Sequence, residues 1–337
     1  MCPSQCLPCI RWDHSREREE RQSWMTLKKY LWPVVGGATI AVCGWLLYKE
    51  LRGLSLDDVW DSLTAISPTH WVLAGLSTLI AYAALAGYDR IALMHLGRSV
   101  NLWFITVTSF TTYALSHNVG ASVISGGVVR YRAYSSKGLS GREIGGLIAI
   151  CSFTFALGTL LLAGVVLILK PHITDRFGEG FPLSVSSATG YGILVLIGIY
   201  VAVSFLRPRP ITVGSTQLTY PSPKVVLSQM VIGPVELIGA AGIIYFALPE
   251  AGNPGFIVVL GIFLASFSAA LISHAPGGLG VLELVFVMGL PDMDPADVIA
   301  ALLVFRLFYL LIPFAMALGV IFVFERTQFR AGRSADP

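Results

Sequence analysis

Apolar runs of about twenty residues recur from Leu31 to Phe324, the length a helix needs to cross the hydrocarbon of a bilayer. In hydrocarbon every backbone N–H and C=O must find its partner within the protein, so such runs fold as helices. The predicted segments are Leu31–Tyr48, Trp71–Leu93, Leu102–Ser116, Val119–Val129, Gly145–Leu169, Thr189–Leu206, Val225–Leu248, Phe256–Ile272, Pro276–Leu290 and Ile299–Phe324. Six are long enough to span. The other four are shorter and form two adjacent pairs, each joined at a Ser-His step. The chain is 55% hydrophobic and only 13% charged, a balance foreign to soluble domains of 337 residues. The expected fold class is an all-α polytopic membrane protein: six full spans plus two short-helix pairs, read as re-entrant hairpins.

Charge gives the sidedness. Of 23 lysines and arginines, Lys49, Arg52, Lys170 and Arg176 fall on one set of loops, Arg306 lies within a span, and the other eighteen fall on the opposite set. Cytoplasmic loops retain positive charge, so the N- and C-termini are expected to be cytoplasmic. The outer loops are acidic, with Asp57, Asp58, Asp61, Asp175, Glu179, Asp292, Asp294 and Asp297. A net charge of +3 is too small to suggest a nucleic-acid partner.

The order span, span, short pair, span occurs twice, and S-H-x-x-G stands at the same place in both halves, at 116–120 and 273–277. The first half begins inside and the second outside, which predicts an inverted repeat. The expected parts are a polar tail at 1–24, membrane repeats at 25–170 and 189–325, and a cytoplasmic tail at 326–337. Met25 opens MTLKKYLWPVV, a natural start for a membrane protein, which places the tail outside the native start. Cys2, Cys6 and Cys9 in that tail have a cluster-ligand spacing but no βα pattern after them, and no metal site is expected there.

Irregular backbone survives in a membrane only where protein or water surrounds it. The breaks at Ser116–Arg132 and Ser273–Gly289 therefore predict a polar cavity, with helix N-termini suited to an anion such as phosphate. Gly126, Gly127, Gly277 and Gly278 either let a ligand approach or only permit tight helix packing. Ionisable groups inside spans are costly and point to a partner or a path. Arg306, Glu236 and Glu283 are such groups. Either Arg306 pairs with one of the carboxylates as structural glue, or it meets a lipid phosphate while the carboxylates meet a cationic head group or relay a proton. His117 and His274 at the Ser-His steps cap turns or titrate near neutral pH. Ser273 lies at the second step. Arg130 is placed to draw anionic head groups, Asp89 and Arg90 are expected to pair at the end of their span, and Tyr134 and Tyr309 read as aromatics without specific meaning. Cys151 is expected to be a packing residue. No P-loop, G-x-S-x-G, H-E-x-x-H or dinucleotide fingerprint is present, so no cofactor is expected.

The stretches SGGVVRYRAYSSKGLSGREI, SHAPGGLGVLE and FRLFYLLIPF resemble the membrane region of bacterial lysylphosphatidylglycerol synthases and the YbhN-like stand-alone inner-membrane proteins of the same superfamily. The resemblance runs from about Met25 to Phe324. It implies an inner-membrane flippase that moves a phospholipid, such as aminoacylated phosphatidylglycerol, between leaflets. In the two-part synthases a separate soluble domain transfers the amino acid from tRNA. This sequence stops at Pro337, so lysyltransferase activity is not expected and the protein is not expected to be an enzyme. Glu236, Glu283, Arg306 and the loop Ser125–Arg132 would line the lipid path. The expected partners are a membrane phospholipid and either a second copy, as a homodimer, or a separate synthase. The alternative is a membrane-embedded lipid-modifying enzyme, or the membrane subunit of an aminoacyl-phospholipid synthase, with Glu283 or His274 as acid or base.

Overall fold

Helix starts are legible where a serine or aspartate precedes a proline, or precedes an acid by three residues. The computed structural model describes residues 55–119, 122–177, 187–206, 211–213, 216–218, 220–273 and 276–333. The expected first span Leu31–Tyr48, the cysteine-bearing tail and His274 lie outside them. Ser55 caps α1 (Leu56–Ala65): its hydroxyl accepts the Asp58 N–H at 3.1 Å, and Asp58 accepts the Ser55 N–H at 2.8 Å. These bonds hold the exposed Asp58 carboxyl below its ordinary pKa. Ser67-Pro68 opens α2 (Pro68–His95). Ser140 and Glu143 form the same reciprocal cap on α5 (Gly141–Leu169). Between them run α3 (Leu102–Val119) and α4 (Ser122–Ser135). Then follow α6 (Ser187–Leu206), a small antiparallel hairpin of β1 (Ile211–Val213) and β2 (Thr216–Leu218), α7 (Pro223–Ala247), α8 (Phe256–Ser273), α9 (Val281–Gly289), α10 (Pro295–Phe305) and α11 (Ile312–Arg333).

Among the described residues six helices are long and apolar enough to cross a membrane: α2, α5, α6, α7, α8 and the run Pro295–Val323. Two expectations change. Phe256–Ile272, read as a short arm, is the 18-residue helix α8 and belongs with the spans. Pro276–Leu290, read as one helix, is a 3₁₀ turn at Pro276–Gly278 followed by α9 from Val281. The reason is backbone geometry: Gly277, Gly278 and Gly280 have φ of 59°, 65° and 78°, values closed to a right-handed helix. The first Ser-His step also differs, because α3 continues through Ser116-His117 to Val119.

The core centres on α7, the most buried of the candidate spans among the described residues, which lies along α2. Glycines set the approach: a Cβ on Gly239 would stand 2.9 Å from the Ala81 nitrogen and the Ser77 carbonyl of α2. Small residues serve this purpose between membrane helices, where apolar burial gives no driving force over lipid. By contrast α6 is peripheral. Its buried residues Gly190, Ile197 and Ser204 recur every seven positions, and Tyr191, Val195, Leu196 and Ile199 are exposed on its remaining surface. The α5–α7 crossing is tighter still, since a Cβ on Gly158 would lie 2.6 Å from the Gly233 carbonyl carbon. Only backbone could yield there. Gly158→Ala is predicted to cost about 2–3 kcal/mol, read as a lower unfolding temperature in detergent, while Gly192→Ala, with no atom within 4 Å, serves as the control. Equal unfolding temperatures for the two variants would remove this crossing as a determinant of stability.

Candidate functional site

The site starts from an irregularity in the middle of the last long run. Residues Arg306–Leu311 form a π-helical turn between α10 and α11, and the Ile312 N–H reaches back five residues to the Leu307 carbonyl. Pro313 has no N–H to give to Tyr309 four residues earlier. The Tyr309 carbonyl instead accepts the Tyr82 hydroxyl at 2.9 Å, and the Leu310 carbonyl accepts the Asn118 amide at 3.1 Å. Single π turns inside α-helices occur frequently at functional sites. This one aims Arg306 and Tyr309 into the bundle.

Arg306 meets the glycine-rich turn before α9. Its Nε donates to Glu283 Oε1 at 2.8 Å, Nη2 reaches the same oxygen, and Nη1 donates to the Gly277 carbonyl at 3.1 Å. Glu283 Oε2 accepts the Gly280 N–H at 2.9 Å, so the carboxylate also caps the first turn of α9. That position favours a negative charge beside the free N–H groups of a helix start. The two side chains keep 14% and 13% of their surface accessible.

Glu236 of α7 lies deeper, with 1% of its surface accessible. Its oxygens accept the Tyr309 hydroxyl at 2.5 Å and the Tyr88 hydroxyl at 3.4 Å. Arg306 thus takes Glu283 and leaves Glu236 to hydroxyls. The His117 ring stacks on Tyr309 at 5.1 Å, and its buried Nδ1 has no hydrogen-bond partner among the described residues.

A third centre joins α2, α4 and α5. Arg130 Nη2 donates to Asp89 Oδ1 at 2.6 Å, the Tyr134 hydroxyl donates to Asp89 Oδ2 at 2.8 Å, and the Cys151 thiol lies 3.4 Å from Oδ1. Side-chain exposure is 7% for Arg130 and 0% for Asp89. The Arg130 guanidinium also sits 4.8 Å over the Tyr113 ring. Tyr113 in turn meets Tyr88 edge-on at 6.2 Å and His117 at 5.8 Å. Aromatic side chains therefore connect Asp89–Arg130 with Glu236, and Tyr309 shares its π turn with Arg306 of the Arg306–Glu283 pair.

The family model described as the lysylphosphatidylglycerol synthase TM region matches residues 34–317. The chain belongs to the lysylphosphatidylglycerol synthase TM-region family. It is 31% identical to the uncharacterized protein slr0712 of Synechocystis over 92% of this chain and 97% of that one. It is 30% identical to the inner membrane protein YbhN of Escherichia coli over 81% and 86% of the two chains. A phosphatidylglycerol lysyltransferase of Staphylococcus haemolyticus is 24% identical over 81% of this chain, which there spans 31% of the enzyme's length. This member of the family is a multi-pass protein of the bacterial inner membrane.

In this family member the residues expected to form one site separate into different roles. Arg306, Glu283 and Gly277 come together at the turn, and Glu236 and His117 lie beside them around Tyr309. Arg130, expected to face lipid head groups, is instead buried against Asp89, and Arg90, expected to be the partner of Asp89, is exposed. Gly126 serves packing, since a Cβ there would stand 2.4 Å from Ser116 Oγ, whereas a Cβ on Gly127 would meet Ile148 at an ordinary 3.5 Å. Gly278 is enclosed by Leu282 and Ala270, and Ser273 donates to the Ala270 carbonyl at 2.9 Å at the end of α8. Tyr134 and Tyr309, expected to be unspecific, are fully buried ligands of carboxylates, and Cys151 touches Asp89 as well as filling space. One signal could have found them: a charged Asp89 four residues before the end of a predicted span, and a tyrosine four residues before Pro313.

Proposed function

We propose that the chain moves a phospholipid between the leaflets of the inner membrane, its head group passing the Arg306–Glu283 pair while its tails stay in the bilayer. The observation that supports this reading is that an ion pair sits at a broken helix inside an apolar bundle and stays partly accessible, whereas Asp89–Arg130 is sealed. A head group carrying both phosphate and ammonium supplies two charges of its own. The phosphate replaces Glu283 on Arg306, whose planar fork suits a bidentate oxyanion. The ammonium takes the freed Glu283. An exchange of partners leaves no bare charge in a low-dielectric setting, where each would cost several kcal/mol. Aminoacylated phosphatidylglycerol fits this chemistry, and relatives that carry the lysyltransferase name make it the first lipid to try. The reading also takes the termini as cytoplasmic, the α3–α4 and α8–α9 pairs as each returning the chain to the face it left, on opposite sides of the membrane, and the two halves as an inverted repeat, a recurring transporter plan.

The test is leaflet exchange of labelled lipids in liposomes holding the purified protein. Lipids with both phosphate and ammonium are expected to exchange at least about tenfold faster than phosphatidylglycerol, equivalent to about 1.4 kcal/mol between the head groups. Exchange no faster than in protein-free liposomes for every head group would overturn the assignment.

A further inference from the structure

We propose that Glu236 is a proton-binding site that couples lipid movement to protonation, an assignment that rests on the transport reading above and gives its two carboxylates different work. Glu283 is committed: Arg306 compensates its charge and Gly280 fixes its second oxygen. Among the described residues Glu236 faces no cation. Both of its oxygens accept from tyrosine hydroxyls, and the side chain is buried.

Among the described residues the elements packed around Glu236 share one character, and α10, which also packs on α7, holds one titratable residue, Asp297 in its first turn. From α2 come Tyr82, Tyr88 and, one residue on, Asp89, whose charge is already matched by Arg130. From α3 come Tyr113 and His117. From α5 comes Cys151, held at Asp89. The π turn contributes Tyr309 directly and Arg306, which is turned to Glu283. The α8 sequence holds no titratable residue, and Tyr200 of α6 is bonded to Gln229 about two turns before Glu236 on α7. Among the described residues no arginine or lysine bonds to Glu236, so a proton is the charge carrier these surroundings admit. The coupling step is binding of one proton to a carboxylate oxygen, forming one O–H bond, and its release by breaking that same bond after the conformational change.

The location makes that proton consequential. Glu236 holds Tyr309, and Tyr309 lies in the same π turn as Arg306. A carboxylate accepts hydrogen bonds on both oxygens, whereas a carboxylic acid must donate one. Protonation therefore requires the Tyr309–Glu236–Tyr88 hydrogen bonds to rearrange. The π turn, whose freed carbonyls are held by Tyr82 and Asn118, is the element that can answer, and it carries Arg306 with it. The unpaired Nδ1 of His117, against the face of Tyr309, offers a further hydrogen-bonding position to the rearranged hydroxyl.

Two measurements on wild-type protein and Glu236→Gln test this. Infrared difference spectra of purified protein along a pH titration should carry a carboxylic-acid C=O band that is absent from Glu236→Gln and shifted in Tyr309→Phe. Leaflet exchange in liposomes should change up to about tenfold per pH unit in wild type, as for one linked proton, with the slope lost in Glu236→Gln at whatever rate remains. An identical infrared band in wild type and Glu236→Gln overturns the proposal, and so does wild-type exchange that is flat with pH. In that last case transport itself stands. If wild type exchanges no lipid at any pH, the transport reading fails and the proposal of coupling falls with it, while the infrared spectra still decide whether Glu236 binds a proton.

Discussion

Arg130→Leu is expected to unfold about 3–5 kcal/mol more easily than wild type, because it leaves Asp89 as a buried carboxylate with only a hydroxyl and a thiol for company. The pair is 41 residues apart in sequence and joins α2 to α4, with Tyr134 and Cys151 bringing α4 and α5 to the same carboxylate. Loss of the guanidinium thus loosens three helices at once. The cation–π contact with Tyr113 disappears as well. Removing both charges is expected to be far milder: Asp89→Asn with Arg130→Leu should recover most of the lost stability, since an uncompensated charge is the main cost. Unfolding in detergent, followed by temperature or denaturant, reads both variants. An Arg130→Leu protein as stable as wild type would show that Asp89 finds another partner and that this centre is not structural.

The second large effect is at Arg306. Arg306→Ala strands Glu283 and removes the donor to the Gly277 carbonyl, so it is expected to lower both stability and lipid exchange. The losses separate through Glu283→Gln. Its amide oxygen can still accept the Gly280 N–H, so Arg306→Ala/Glu283→Gln should unfold near the wild-type temperature. Exchange in that double variant should remain down by about a hundredfold, the equivalent of about 3 kcal/mol at the transition state. Recovery of exchange together with stability would assign Arg306 to the fold alone and remove it from the head-group path.

These centres show where sequence reading succeeds and where it stops. Arg306 and Glu283 were recognisable because a charge within an apolar run always demands an account. The Pro-Gly-Gly turn was recognisable because no other residues take that backbone readily. The choice between Glu283 and Glu236 as partner was not, since both lie in apolar segments at unknown distances from Arg306. Asp89 was read as an end-of-span charge paired with its neighbour Arg90. On a helix, however, successive residues point about 100° apart, and the burial of Asp89 turns Arg90 outward. Tyr309 was read as an ordinary aromatic, because its importance comes from Glu236, 73 residues away.

The helical spans, the helix starts and the glycine turn before α9 are local properties. Each follows from backbone hydrogen bonds that must be closed within a few residues in hydrocarbon, from caps three residues long, and from glycine φ values, so the order of residues determines them. Pairing of buried polar groups is not local. Asp89 with Arg130, Glu236 with Tyr309 and Tyr88, and Arg306 with Glu283 are separated by 23 to 148 residues, and their partners were decided by how α2, α4, α7, α9 and the π turn pack together. The composition of the chain announced that charges are buried in a membrane protein. Only the packing of its helices distributed them into one sealed pair, one accessible pair and one carboxylate held by hydroxyls.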